Sequence, residues 1–187
     1  ADYITINISS PNTEGLRDFH EGNKLSELLD SLNKIKKNKK TSIPLLLKIS
    51  PDIEDKDITE IIELAIKNKI SAIILTNTTN GNRKNLVSEI KNEKGGLSGE
   101  PLQQISTNMI KKFYKKLNGT IPIIGVGGIN SGKSAFEKIA AGASLLQLYT
   151  SFVYKGPSLV KDIKKELIEI LKSEGINNIK DVVGKTI

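Results

Sequence analysis

The fold is decided by a pattern first seen in residues 3–10 (YITINISS), an apolar run that ends in short polar side chains. The pattern recurs at residues 45–50 (LLLKIS) and 72–79 (AIILTNTT). Strands that are apolar throughout are typical of a parallel sheet, which helices cover on its faces. The sequence therefore predicts an α/β fold whose polar side chains gather where the strands end.

Five apolar runs alternate with amphipathic segments. Strands are predicted at residues 3–8, 45–49, 72–76, 121–125 and 145–149, and helices at 24–37, 55–68, 101–117, 131–141 and 158–173. A (β/α)8 TIM barrel, of which the chain would carry about five units, and a five-stranded doubly wound sheet both fit this order. The barrel is favoured, because polar residues follow all five strands and do not gather at a single switch point.

The length of 187 residues predicts one domain over residues 1–187, or a piece of one. Because the first strand follows Ala1 almost at once and no methionine precedes it, we expect a fragment of a longer protein. There is no cysteine and a single histidine, His20, so no disulfide, thiolate or multi-histidine metal site is expected. His20 is interpreted as a solvated loop residue.

The net charge of +7 and the pI of about 9.4 admit an RNA-binding domain without catalytic activity as an alternative. The lysines are dispersed, however, and aromatic residues that would stack on bases make up only 4% of the chain. No apolar run reaches the roughly 18 residues of a membrane span. Nucleic-acid binding is therefore the weakest interpretation.

Three residues that follow the first strand could recognise a flat, polar heterocycle. Asn7, Ser10 and Asn12 offer hydrogen-bond donors and acceptors without a fixed charge. The same residue types are also typical of an ordinary turn. Taken alone, this stretch favours the turn, and the rest of the chain reverses that preference.

Lys48 is a cation within an otherwise apolar strand. Burial of an unpaired ammonium is unfavourable, so an electron-rich partner such as the ring edge of a reduced flavin is expected there. The alternative is a lysine that reaches solvent past the end of the strand. It is the weaker one, because Ile49 and Ser50 prolong the strand.

Two glycine-rich stretches follow predicted strands. Residues 125–132 (GVGGINSG) lie between a strand and a helix, where backbone N–H groups and the helix terminus could bind a phosphate. Hydroxyl groups end the last strand, and the loops after the last two barrel strands commonly share a phosphate site. Residues 94–99 (KGGLSG) could approach the same ligand or form a flexible surface loop.

Six stretches together resemble the dihydroorotate dehydrogenase family, specifically its class 2, quinone-dependent branch. They are residues 7–17, 47–52, 76–79, 95–99, 125–129 and 147–150. The resemblance implies a (β/α)8 barrel of which this chain carries the last five units. The first three strands and an amino-terminal helical cap would lie outside this sequence.

The resemblance also implies roles for single residues. Ser10 would be the catalytic base, at the position where class 1 enzymes have a cysteine. Substrate would be bound by Asn7, Asn12, Asn77 and Thr78. The cofactor FMN would be held by Lys48, Thr76, Ser98, Gly99, Gly127, Gly128, Tyr149 and Thr150. Residues 13–23 would form a lid over the substrate.

The implied activity is oxidation of dihydroorotate to orotate, with quinone as the electron acceptor, in pyrimidine (UMP) biosynthesis. A monomer is expected, with peripheral membrane contact through the absent amino-terminal part. The membrane would be the cytoplasmic side of a bacterial inner membrane or a mitochondrial inner membrane. Another FMN barrel oxidoreductase, of the dihydropyrimidine or dihydrouridine type, is the alternative, and residues 10–17 favour dihydroorotate.

Overall fold

A computed structural model describes residues 1–81 and 83–187 and contains a sheet of five parallel strands. The strands are β1 (Ile4–Asn7), β2 (Leu45–Ile49), β3 (Ala72–Leu75), β4 (Ile123–Val126) and β5 (Ala143–Gln147). They lie side by side in chain order. Right-handed crossovers then place the connecting helices on one face, whereas a doubly wound sheet reverses its order at a switch point. The sheet therefore has the topology of a barrel wall.

Six α-helices lie in the described residues. They are α1 (Gly22–Asn38), α2 (Asp55–Lys67), α3 (Gln103–Leu117), α4 (Gly132–Ala140), α5 (Thr150–Lys155) and α6 (Ser158–Ser173). The helix α4 begins with a capping box, in which the Ser131 hydroxyl accepts the Ser134 N–H. None of the described helices is long and apolar enough to cross a membrane.

The strands have apolar side chains on both faces. On one face, Leu47 and Ile73 belong to a large cluster that includes residues of α1, α2 and α3. On the other face, Leu46, Ile74 and Ile124 belong to a smaller cluster. Burial on both faces explains why the central strands have almost no polar residues.

The two outer strands are less covered than the central ones. Ile4 in β1 is 47% exposed and Leu145 in β5 is 62% exposed. Each outer strand pairs with one neighbour only. The five strands thus form an open wall, and the described residues do not close it into a barrel.

Most predicted elements differ from the observed ones only at their ends, and α6 has the predicted bounds. The larger difference is β5, predicted at residues 145–149 and observed at Ala143–Gln147. This strand begins directly after Gly142, whose φ is 118°, and its pairing with β4 shifts register between Ile123 and Ile124. Its early end leaves room for α5, which the hydrophobic pattern did not predict.

Candidate active site

A cavity of about 180 Å³ lies at the carboxyl edge of the sheet. It is lined by every residue predicted to hold the cofactor: Lys48, Thr76, Ser98, Gly99, Gly127, Gly128, Tyr149 and Thr150. Asn77 and Thr78, predicted to bind substrate, line it too. The remaining lining residues are Leu102, Val126, Ile129, Leu148 and Ser151, which were not predicted. Four of these five are apolar, so their identity carried no chemical signal in the sequence.

A wider cleft of about 600 Å³ adjoins this cavity. The two share Ser98, Gly128, Thr150 and Ser151 as lining residues. Ligand pockets for small molecules commonly have volumes of about 300–1,000 Å³. The cavity and the cleft together therefore offer space for a ligand larger than the cavity alone would hold.

Asn7 and Asn77 are joined through a buried serine hydroxyl. Ser9 Oγ donates to Asn7 Oδ1 at 2.9 Å and accepts from Asn77 Nδ2 at 3.0 Å. The Asn77 Oδ1 atom accepts the backbone N–H of Thr78 at 2.8 Å. These bonds fix both amide planes, and among the described residues the Nδ2 group of Asn7 has no hydrogen-bond partner. The pair therefore presents an oriented, uncharged donor at the carboxyl edge.

Ser10 and Asn12 lie on the loop after β1 and do not line the 180 Å³ cavity. The Ser10 Oγ atom accepts the backbone N–H of Asn12 at 3.2 Å, and Asn12 borders a separate open cleft with Gly95. Within the described parts of the chain, no histidine or carboxylate contacts the Ser10 hydroxyl. The structure thus places both residues near the carboxyl edge without a charged group that would activate Ser10.

Lys48 projects from β2 into the cavity lining and is half-buried. Its ammonium makes no hydrogen bond or ion pair with any described residue. Burial lowers the pKa of Lys48 below its ordinary value, because desolvation disfavours the charged form. An unpartnered cation in the wall of a cavity indicates a ligand with an electron-rich group.

The glycine turn after β4 packs against the start of α3. Gly128 has a φ of 72°, and a Cβ atom there would lie 2.5 Å from the Cβ of Gln103. A Cβ atom on Gly127 would lie 3.0 Å from the Cβ of Ser106. Only glycine allows this close approach, which brings the backbone of the turn to the cavity.

The amino terminus of α4 is already occupied, contrary to the expectation that it would bind a phosphate. The N–H of Gly132 donates to the Glu166 carboxylate of α6, and Ser131 caps the same helix end. A carboxylate and a hydroxyl therefore already accept from two N–H groups of this helix end, those of Gly132 and Ser134. The helix that borders the cavity is α5, through its first residues Thr150 and Ser151.

Residues 95–99 are held by hydrogen bonds at two positions, so they are not a free surface loop. Thr79 and Leu97 form an antiparallel bridge with N···O distances of 3.2 and 2.7 Å. The Thr150 hydroxyl donates to Ser98 Oγ at 2.9 Å. These contacts attach the glycine-rich segment to the loop after β3 and to α5, on two sides of the cavity.

An ion pair between Arg17 and Asp52 supports the amide cluster from outside the cavity. Arg17 also donates to the carbonyl oxygens of Thr78, at 3.2 Å, and of Ser9, at 3.5 Å. Asp52 accepts the N–H of Asn80 at 2.9 Å. This network joins the loops after β1, β2 and β3. Apart from the contact between Arg17 and Ser9, its contacts join residues at least 28 positions apart, so motif spacing did not reveal it.

His20 is buried, with 7% of its surface exposed, so its interpretation as a solvated residue was wrong. Its Nδ1–H donates to the Arg17 carbonyl at 2.9 Å, and its Nε2 accepts the Ser50 N–H at 3.3 Å. The polar residues around it in sequence gave no sign of these contacts. The 3-10 turn Leu16–His20 is therefore anchored to the end of β2. Within the proposed lid, residues 13–23, the exposed positions are residues 13–15, Asp18, Glu21 and Asn23.

The consecutive parallel strands and the cavity at their carboxyl edge are those of part of a (β/α)8 barrel. Comparison with known proteins narrows this class. Residues 1–171 match the profile of the family described as dihydroorotate dehydrogenase. The chain belongs to this dihydroorotate dehydrogenase family.

Curated relatives agree with this assignment. The chain is 51% identical over 173 residues to "Dihydroorotate dehydrogenase (quinone)" of Vibrio cholerae, covering 89% of this chain and 51% of the relative. It is 43% identical over 188 residues to the mitochondrial mouse protein of that name, covering 98% and 47%. The chain thus spans about half the length of the curated relatives that it matches.

Solved structures show the same fold. The ligand-free DHODH of Eimeria tenella has a TM-score of 0.93 and 38% identity to the chain, and the match covers all of this chain and 56% of that protein. A second structure of the same enzyme, in complex with ferulenol, has a TM-score of 0.91 and 37% identity. These neighbours confirm the predicted barrel class and exclude the doubly wound alternative.

Proposed function

We propose that the full-length protein oxidises dihydroorotate to orotate with a quinone as the electron acceptor, as a step of pyrimidine (UMP) biosynthesis. The family and the names of its relatives support this activity. The observation that carries the proposal is the unpartnered Lys48 ammonium in a cavity that it shares with the uncharged amide of Asn77. The cation could bind an electron-rich ring, and the neutral amides could bind a polar heterocycle. Both kinds of group lie at the same edge of the sheet.

FMN is the proposed cofactor, and the residues present fit it. Lys48 would contact the flavin ring, with Thr76, Ser98 and Gly99 along its side. Gly127, Gly128, Tyr149 and Thr150 would surround the phosphate end, where glycines permit close backbone approach. When bound, FMN would supply the acceptor for the hydride that leaves C6 of dihydroorotate, and quinone would reoxidise it.

Ser10 is proposed as the base that removes the proton from C5 of the substrate. A neutral hydroxyl is a weak base at neutral pH. The Asn12 N–H that donates to Ser10 Oγ favours the deprotonated hydroxyl, because a donated hydrogen bond stabilises the developing negative charge. Exclusion of water by the proposed lid, residues 13–23, would strengthen this interaction.

Asn7, Asn12, Asn77 and Thr78 are proposed to bind the planar substrate. The Ser9 hydroxyl holds the amides of Asn7 and Asn77 in fixed orientations. A site built from such groups rejects analogues that leave them unpaired, since a buried polar group without a partner is unfavourable. This arrangement favours a cyclic substrate with several carbonyl and N–H groups.

Quinone reduction implies contact with a membrane, and we place it in the part of the relatives that lies outside this chain. The proposed location is peripheral, at a bacterial inner membrane or a mitochondrial inner membrane. A monomer without a nucleic-acid partner is proposed. Each of these statements concerns the full-length protein.

The test is an anaerobic titration of the full-length protein. Dihydroorotate should bleach the absorbance of the bound flavin, and a soluble quinone analogue should restore it. Dihydrouracil and dihydrouridine-containing tRNA serve as alternative reductants under the same conditions. Faster bleaching by either of these would assign the protein to another type of FMN barrel, and the absence of a bound flavin would refute the proposal.

A further inference from the structure

A lysine that the proposed reaction does not use is buried behind the cavity. Lys138 in α4 has an exposed fraction of 0%. Its Nζ atom donates to Gln103 O at 3.2 Å, Ser106 Oγ at 3.1 Å and Thr107 Oγ1 at 3.0 Å. All three acceptors are neutral and lie near the start of α3. No carboxylate among the described residues pairs with this ammonium.

The position of Lys138 is electrostatically unfavourable in the isolated chain. The amino terminus of a helix carries a partial positive charge, so the start of α3 repels a cation. Burial removes water as well, and it lowers the pKa of Lys138 to about 8. Glu137 opposes this shift, but its carboxylate accepts from Gln103 Nε2 at 2.7 Å. At neutral pH Lys138 still carries its charge most of the time.

The residues that hold Lys138 also hold the glycine turn. Ser106 Oγ donates to the carbonyl oxygen of Val126, the residue that precedes Gly127. Gly128 approaches the backbone of Gln103 so closely that a Cβ atom would lie 2.7 Å from its Cα. Only one layer of residues therefore separates the ammonium from the turn that lines the cavity.

We infer that Lys138 is a buried cation that attracts the phosphate of the cofactor to the Gly127–Gly128 end of the cavity without touching it. The inference rests on the proposed FMN site and deepens it. A charge acting through a protein interior is screened less than one acting through water. Among the described residues Lys138 forms no ion pair, and the dianionic phosphate would add its attraction to that of the nearby Glu137. Lys138 is thus a positioning residue, distinct from the groups that contact the ligand.

The test compares the affinities of FMN and riboflavin for the full-length apoprotein, measured by quenching of flavin fluorescence. Riboflavin has the same ring but no phosphate. Lys138→Gln keeps a hydrogen-bond donor without the charge, and Lys138→Met keeps the approximate shape. In both variants we expect the ratio of FMN affinity to riboflavin affinity to fall about tenfold, with riboflavin affinity unchanged.

Two matched variants separate charge from structure. Lys133→Gln removes an exposed positive charge from the same helix and should leave the ratio unchanged. Thr107→Ala retains the Lys138 charge while it removes one of its contacts. It leaves the bond between Ser106 and the Val126 carbonyl in place, so the ratio should stay near that of the wild type. Thermal unfolding of each apoprotein identifies variants that fold, and either Lys138 variant is sufficient.

Three results would overturn the inference. Equal weakening of FMN and riboflavin in the Lys138 variants would assign Lys138 to the fold alone. Equal affinity of the two flavins for the wild type would show that no phosphate site exists, while the flavin site of the proposed function would stand. Failure of the wild type to bind either flavin would refute the proposed function and this inference with it.

Discussion

Arg17 Nη1 lies 3.0 Å from Asp52 Oδ2, and this ion pair joins the loop after β1 to the loop after β2. Each side chain is 26% exposed, so water screens the pair only partly. Arg17 also binds the Thr78 carbonyl, next to the amide of Asn77. The pair therefore connects a contact outside the cavity to the residues proposed to bind substrate.

We expect Asp52→Ala to weaken dihydroorotate binding while FMN stays bound. The substitution leaves a partly buried guanidinium unpaired and releases the Asn80 N–H, so the free energy of unfolding should fall by about 1–3 kcal/mol. The measurements are urea denaturation and the KM for dihydroorotate in the full-length protein. Asp55→Ala, which breaks an exposed pair with Lys112, is the control. Equal effects of the two substitutions would contradict the prediction.

Ser10→Ala should abolish most substrate-driven reduction of the flavin. Loss of a general base commonly lowers the rate of the chemical step by about 10²–10⁴-fold. Since Ser10 does not line the cavity, flavin content should not change. Anaerobic stopped-flow absorbance measures the reduction rate, and Ser42→Ala, at an exposed position, is the control. A reduction rate close to that of the wild type would refute the assignment of Ser10 as base.

Lys48→Met should change stability and flavin affinity in opposite directions. Removal of an unpartnered, half-buried cation should leave the apoprotein as stable as the wild type or more so. Loss of its charged contact should weaken flavin binding by about 10–100-fold. Thermal unfolding and fluorescence titration of the apoprotein measure the two effects. Lys67→Met removes an exposed lysine and should alter neither, and unchanged flavin affinity in Lys48→Met would count against the contact.

The sheet and the polar ends of its strands could be predicted from the sequence because they follow a local pattern. Lys48 lies near the end of one apolar run, and Asn77 follows another. Parallel strands bring such positions to one edge of the sheet. The contacts of Arg17 with Asp52, and of Lys138 with Ser106, join segments at least 30 residues apart. No local period reports such contacts, so they became visible only in the folded chain.

His20 shows why the rest of the site could not be predicted. Its neighbours in sequence are charged, which is typical of an exposed segment, yet its ring joins Arg17 to Ser50. The burial of a residue in a loop depends on which strand end the loop reaches. That contact is a property of the tertiary structure, and hydrophobic periodicity does not encode it.

Acidification should destabilise the protein through His20. Burial lowers the pKa of His20, and the Ser50 N–H points at Nε2, which must stay unprotonated to accept it. A lowered pKa in the folded state means that this contribution to stability is present above the ordinary pKa of about 6.5. It is lost as the pH falls through the lower pKa of the folded state.

The comparison of wild type with His20→Gln isolates this contribution. A glutamine can donate to the Arg17 carbonyl and accept from Ser50 but does not titrate. Between pH 7 and pH 5, urea denaturation should show a larger loss of stability for the wild type than for the variant. Carboxylates elsewhere contribute equally to both proteins. Parallel stability profiles would show that His20 does not titrate in this range.

Gly128→Ala should disrupt the turn at the cavity, and Gly175→Ala provides a matched control. The two glycines have similar φ values of 72° and 67°. A Cβ atom at Gly175 would meet nothing within 4 Å, whereas at Gly128 it would lie 2.5 Å from Gln103 Cβ. In the control, the free energy of unfolding should fall only by the cost of a left-handed backbone conformation at a non-glycine residue, about 1–2 kcal/mol. Gly128→Ala adds a clash with the α3 backbone, which should raise the loss to about 2–5 kcal/mol.

The two variants also separate the turn's effect on the site from its effect on the fold. Because Gly128 lines the cavity, its substitution should weaken FMN binding in the full-length protein, whereas Gly175→Ala should leave FMN affinity unchanged. Urea denaturation and fluorescence titration on the same preparations measure stability and affinity. Equal stability losses in the two variants would show that α3 can shift to accept the methyl group. In that case, the close contact between the turn and Gln103 would not be needed to hold the cavity wall in place.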